Sequence, residues 1–344
     1  MPLNMVIPPR STSLYSAITA KIDQKTKPLG SLGQLEHLAM QIALCQNTLT
    51  PCLQQPCLMV FAGDHGIAAE GVSAYPATVT AQMVNNFISG GAAINVFARQ
   101  HNLELIIVDA GVQSDLAAHP SLINAKIAYG TQNFLQQAAM TAEQCQQALQ
   151  HGADLVLRQY ASGCNCVGFG EMGIGNSSSA ALLMHCITGH PLADCVGRGT
   201  GLNDTQLLNK LSILQQARAK YPHVYHPLDI LSTFGGFEIA MQVGAMAKAA
   251  SLGMLLMIDG FITSSALLIA HQLQPHILDY CVFSHVANER GHRALLQFLN
   301  VKPVLQLDLR LGEGSGVALA FPLVQSAVLF LNEMASFSEA GVDG

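Results

Sequence analysis

The sequence predicts an α/β fold in which a parallel sheet is covered by helices on both faces. Three observations point there. Short apolar runs recur, and each ends in a glycine-rich or acidic turn followed by a helical stretch. The runs are almost continuously apolar, as strands buried on both faces are, rather than alternating with polar residues. Half of the 344 residues are hydrophobic and only 11% are charged, enough apolar mass for a large core and too little charge for a disordered chain. The expected architecture is therefore Rossmann-like and three-layered.

Taken in order, the first fifty or so residues read as helix only, with a strong helical period over residues 31–45. Cys57-Leu-Met-Val-Phe61 is the first strand-like run and leads into Ala-Gly-Asp-His-Gly66. Leu103-Glu-Leu-Ile-Ile-Val108 leads into Asp-Ala-Gly111. Met254-Leu-Leu-Met-Ile258 meets Asp-Gly260, with helical spacing over residues 263–273, and Asp279-Tyr-Cys-Val-Phe-Ser284 precedes a helix beginning near Asn288. Residues 315–334 form a last long helix. The two strandless ends, residues 1–50 and 315–344, are expected to make a small helical domain beside a large α/β domain over residues 51–314.

Composition excludes several classes. The formal net charge is −6 and no Lys/Arg cluster occurs, so a nucleic-acid partner is not expected. The longest apolar stretch, residues 317–331, is short for a membrane span and contains Pro322, Gln325 and Ser326, so it reads as a buried helix. Residues 1–10 lack the pattern of a secretory signal, and a soluble cytoplasmic protein is expected. The nine cysteines are scattered through apolar surroundings, as buried thiols are. Cys164 and Cys166 have neither zinc-knuckle spacing nor a companion pair, and no metal site is expected.

In an open parallel sheet, ligands bind beyond the carboxyl ends of the strands, where these turns fall. The richest is Gly168-Phe-Gly-Glu-Met-Gly-Ile-Gly-Asn-Ser-Ser-Ser179, read as a loop leading into a helix over residues 180–187. Glycines let amides approach an anion, a helix start adds partial positive charge, and three serines add hydroxyls. An ordinary serine-capped helix is the competing reading. Gly197-Arg-Gly-Thr-Gly201 offers Arg198 to a carboxylate or phosphate, or is a tight surface turn. In Leu311-Gly-Glu-Gly-Ser-Gly316, a carboxylate facing an apolar crevice would have a raised pKa and serve as a general base; a helix-start carboxylate is the alternative. Asp64 with His65 reads first as a structural hydrogen-bond knot, and Asp109 and Asp259 carry the same weak expectation.

Together the motifs resemble the nicotinate-nucleotide–dimethylbenzimidazole phosphoribosyltransferases. The resemblance is carried, in order and over nearly the whole chain, by Lys27-Pro-Leu-Gly-Ser-Leu-Gly33, Phe61-Ala-Gly-Asp-His-Gly66, Glu70-Gly-Val72 with Val79-Thr80, Gln82-Met83 and Asn86-Phe87, Gly170-Glu-Met-Gly-Ile-Gly-Asn176, Gly197-Arg-Gly-Thr-Gly201, Gly235-Gly-Phe-Glu-Ile239, Asp259-Gly-Phe261, Ser284-His285 with Glu289, Gly291 and His292, and Leu311-Gly-Glu-Gly-Ser-Gly316. It implies a homodimer with nicotinate mononucleotide and 5,6-dimethylbenzimidazole as substrates, and α-ribazole 5′-phosphate and nicotinate as products. By the family's pattern Glu313 matches the catalytic base and Glu171 a second active-site carboxylate. Ala74, Tyr75 and Gln82 match the benzimidazole side. Gly173, Ile174, Gly175, Asn176, Ser177 and Ser178, with Gly199, Thr200 and Gly201, match the phosphate and ribose side. The pyridinium leaving group departs neutral and one base suffices, so neither metal nor cofactor is called for. Two alternatives stay open: the same fold with another flat acceptor such as adenine or a phenol, and a non-catalytic protein that binds benzimidazoles or ribazole. A metal-dependent hydrolase working through Asp64 and His65 is a third.

Overall fold

The computed structural model describes residues 5–199 and 201–343. Six parallel strands form one sheet: β1 Cys57–Gly63, β2 Glu104–Gly111, β3 Leu122–Asn124, β4 Cys166–Met172, β5 Leu255–Ile258 and β6 Cys281–Phe283. Their spatial order is β3-β2-β1-β4-β5-β6, the doubly wound order whose reversal point lies between β1 and β4. Val60 pairs with Ile107 on one side and Gly170 on the other, so β1 is at the centre of the sheet.

Alternate residues of each strand feed two separate cores. Met59, Phe61, Val167, Phe169, Leu256 and Ile258 pack against the helices Ala142–Ala161, Asn176–Thr188, Phe237–Ser251 and Phe261–Leu273. Leu58, Val60, Ala62, Cys166, Leu255 and Met257 pack against Gln34–Cys45, Thr78–Ile88, Ala93–Gln100 and Ser315–Glu333. Phe237–Ser251 is buried nearly all round, which explains its lack of an amphipathic stripe. Each large side chain it buries, Ile239 and Met241 among them, contributes about 1.5–3 kcal/mol. Its Gln242 is tolerated there because Nε2 donates to the Gly170 carbonyl at 3.1 Å.

The expected fold class is the observed one, with local corrections. The glycine-rich stretch is not all loop: residues 166–172 are β4, the turn is confined to residues 173–175, and the helix starts at Asn176 rather than near 180. β2 likewise runs through Asp109 to Gly111. The short edge strand β3 carries no apolar run of its own. β6 is preceded by a 3-10 turn, Pro275–Tyr280.

Ser315–Glu333 is long and apolar enough to cross a membrane by length and composition. In the fold it lies on the sheet, with Val317 against β4 and Phe321 and Val324 fully enclosed. The chain ends meet through an antiparallel bridge between Lys25 and Ser336, and Phe337 N donates to Gln24 O at 2.9 Å.

Candidate active site

A cleft opens beside the reversal point, over the carboxyl ends of β4, β5 and β6. Its cavity volume is about 110 Å³, and it is open to solvent on one side. The 173–175 turn and the start of helix Asn176–Thr188 form one wall. Ile174 N donates to Thr80 Oγ1 at 3.1 Å, Asn176 N to Gly173 O at 3.1 Å and Ser178 N to Gly175 O at 3.0 Å. The Gly175 and Ser177 amides take no acceptor among the described residues, the arrangement that suits an anion.

Glu171, the penultimate residue of β4, faces this cleft and is 8% exposed. Asn176 Nδ2 donates to its Oε2. Burial, reinforced by the charges of Asp259, Glu238 and Glu313 and opposed by Asn176, pushes its pKa up to about 8. At neutral pH the unliganded site therefore holds Glu171 mainly protonated.

Glu313 comes from the far end of the chain, and its N–H donates to Glu171 O at 3.3 Å. A Cβ on Gly170 would stand 2.5 Å from Glu313 O, so glycine in mid-strand lets this loop lie directly on the sheet. Glu313 has φ of 64°, a left-handed conformation that costs an L-residue on the order of 1 kcal/mol. Asp259 holds the conformation in place. Its Oδ2 accepts from Gly314 N at 3.2 Å, and its Oδ1 from Gly316 N at 2.8 Å and Val317 N at 3.2 Å, capping helix Ser315–Glu333. The Glu313 carboxylate is 4% exposed and turns toward Ile94 at the start of helix Ala93–Gln100, whose N–H lies 3.4 Å from Oε2. Burial raises its pKa, Asp259 adds to the rise, and the Ile94 amide opposes it. Glu313 thus sits behind Leu311 and Gly312, which line the cleft, rather than on the lining itself.

The sequence-expected residues fall into groups. Glu171, Gly173, Ile174, Gly175, Asn176, Ser177 and Gly199 line the cleft, and Gly201 lines an adjoining one that shares Gly199, Glu289 and Arg310. Ser178 is fully buried behind the wall, so its hydroxyl does not face the cleft. Ala74, Tyr75 and Gln82 are exposed beside it; Val72 and Ser73, just before them, line it. Thr200 lies outside the described residues. Arg198 is turned to its own loop, donating to Leu202 O at 2.8 Å and pairing with Asp204. Asp64 is a structural knot, its Oδ2 accepting from Gln113 N at 2.8 Å, and Asp109 accepts from Val112 N at 2.9 Å.

Sequence reasoning missed a fully buried cation beside the site. Lys210 is wholly enclosed on helix Asp204–Lys220, and its Nζ donates to Ser177 Oγ at 2.8 Å and Gly197 O at 3.3 Å. Burial pulls its pKa down to about 8, opposed by Glu289. A signal was available: Lys210 occupies the buried stripe of Ile213, Leu214 and Ala217, where a lysine needs a reason. Lys210 and the exposed Arg310 together supply the positive charge that the composition hides.

These features define a doubly wound α/β enzyme with an anion-accepting turn and two buried glutamates joined through their backbones beside it. A family profile described as phosphoribosyltransferase matches residues 7–342, and the chain belongs to that family. A nicotinate-nucleotide–dimethylbenzimidazole phosphoribosyltransferase of Cupriavidus taiwanensis is 57% identical over 98% of this chain and 97% of its own length. The protein of the same name from Dechloromonas aromatica is 59% identical over 96% of each chain. Among solved structures, CobT from Thermus thermophilus superposes with a TM-score of 0.92 at 40% identity, covering 96% of this chain and 99% of its own.

Proposed function

We propose that this chain transfers the phosphoribosyl group of nicotinate mononucleotide to 5,6-dimethylbenzimidazole with inversion at C1′, giving α-ribazole 5′-phosphate and nicotinate for a cobalamin lower ligand. The observation that carries this reading is the meeting of Glu171 and Glu313, far apart in sequence, through a 3.3 Å backbone bond beside an anion-accepting turn. The names of relatives more than 55% identical over nearly the full chain support it.

The donor's phosphate and ribose lie against residues 173–177 and the 199–201 turn, with Lys210 close behind Ser177. The acceptor occupies the side of Ala74, Tyr75 and Gln82. Its unprotonated ring nitrogen attacks C1′, the bond to the pyridinium breaks, and that electron pair leaves with neutral pyridine nitrogen. The proton on the acceptor's other nitrogen passes to Glu313, whose pKa burial raises above the ordinary carboxylate range. Glu171 begins protonated; binding of the cationic pyridinium favours loss of that proton to solvent, and the carboxylate then stabilises oxocarbenium character at C1′. Positioning two flat substrates in line supplies much of the acceleration.

On the family resemblance we also propose a cytoplasmic homodimer. The contact between the chain ends supports treating residues 1–50 and 315–344 as a helical unit beside residues 51–314. Incubating the purified protein with both substrates and following products by mass spectrometry tests the function. Equimolar α-ribazole 5′-phosphate and nicotinate are expected. Transfer only to adenine or a phenol would reassign the acceptor, and tight benzimidazole binding without turnover would make this a binding protein.

A further inference from the structure

A chain of three buried polar side chains lies beneath the 173–175 turn, outside the cleft lining. His65 follows β1, Glu238 sits in the first turn of helix Phe237–Ser251, and Ser179 in the first turn of helix Asn176–Thr188. His65 Nε2 is 2.6 Å from Glu238 Oε1, and Nδ1 is 3.0 Å from Ser179 Oγ. The connectivity is that of a hydrolase triad, but Ser179 is fully enclosed and no carbonyl can reach it. Both ring nitrogens are engaged inside the protein, which also answers the metal-hydrolase reading of Asp64 and His65.

Ser179 Oγ also lies 3.5 Å from the Gly235 carbonyl oxygen, so the hydroxyl bridges the His65 ring and the backbone before helix Phe237–Ser251. Glu238 Oε2 has no hydrogen-bond partner among the described residues, which leaves His65 as the partner of this carboxyl.

The ring is held by backbone on two sides. A Cβ on Gly236 would fall 2.4 Å from His65 Cε1, and one on Gly173 would fall 3.3 Å from both His65 Cδ2 and Glu238 Oε1. The ring has no room to tilt, and the 173–175 turn rests on it. We propose that His65, oriented by Glu238, is a positioning residue for the donor half of the cleft: it fixes the 173–175 turn and so sets affinity for the phosphoribosyl donor without touching it. This rests on the assignment of that turn to the donor.

Steady-state kinetics on wild type, Glu238→Ala and Glu238→Gln separate the possibilities, with each substrate varied at saturation of the other. Glu238→Ala should raise KM for nicotinate mononucleotide tenfold or more, with acceptor KM and kcat within threefold of wild type. Glu238→Gln, which keeps a hydrogen bond to Nε2, should return the donor KM to within threefold. An unchanged donor KM, a shift of both KM values and kcat together, or no rescue by glutamine would each overturn the proposal. If Glu238→Ala does not fold, His65→Gln carries the same test and the same expectation, and an unchanged donor KM there also overturns it. Wild-type turnover is the control: its absence would sink the donor assignment, whereas a normal wild type with an unselective variant sinks only the role of His65.

Discussion

Burial raises the pKa of both Glu171 and Glu313, and each makes its own prediction. For Glu313, removing the base should leave binding and slow chemistry. Glu313→Gln is expected to lower kcat about a hundred- to ten-thousand-fold, with calorimetric binding of nicotinate mononucleotide within a few-fold of wild type. Near-normal turnover would end the base assignment. For Glu171, the folded-state pKa of about 8 stands above the ordinary 4.5, so the fold favours the protonated form. That stabilisation is complete below about pH 4.5 and is lost as pH rises through 8. Glu171→Gln, permanently neutral, should melt with wild type near pH 5 and above it near pH 8.5, by up to about 4 kcal/mol. A difference independent of pH would contradict the burial argument. Lys210 is the residue-scale lesson in reading sequence: its charge is visible there, but its partners Ser177 and Gly197 come from other elements.

At the scale of elements, β4 and the loop before helix Ser315–Glu333 bring Glu171 and Glu313 together. Their contact depends on a missing side chain. Gly170→Ala places a methyl 2.5 Å from Glu313 O and 2.6 Å from Gly314 N, so the 312–314 loop must lift off the sheet. The expected result is about 1–3 kcal/mol of destabilisation, with kcat lowered more than either KM; melting curves and steady-state kinetics read both. Asp259→Ala removes the acceptor of three amides at the start of the same helix and should act in the same direction. This contact also explains why β4 resembles a loop in sequence. Gly168 and Gly170 dilute its apolar run, and the element that requires them to be glycine lies more than a hundred residues away. β1, β2, β5 and β6 are legible because their continuous apolar runs record burial on both faces directly. β3 is not, because three residues at a sheet edge carry too little pattern.

For the whole molecule, the 3-2-1-4-5-6 strand order puts the reversal point between β1 and β4, and helices from the chain's two ends cover one face of the sheet. The class of fold and the strand-end location of the site follow from sequence pattern; the exclusion of Ser178 from the cleft and the turning of Glu313 toward Ile94 do not, since both depend on packing. The proposed dimer predicts sedimentation near twice 36.5 kDa; a monomer at working concentration would contradict it. The most direct test of the central claim is the configuration at C1′ of the product made from nicotinate mononucleotide and 5,6-dimethylbenzimidazole, read by proton NMR. In-line displacement predicts the α-riboside, with one nicotinate released per transfer. A β-riboside, or no riboside at all, would contradict it.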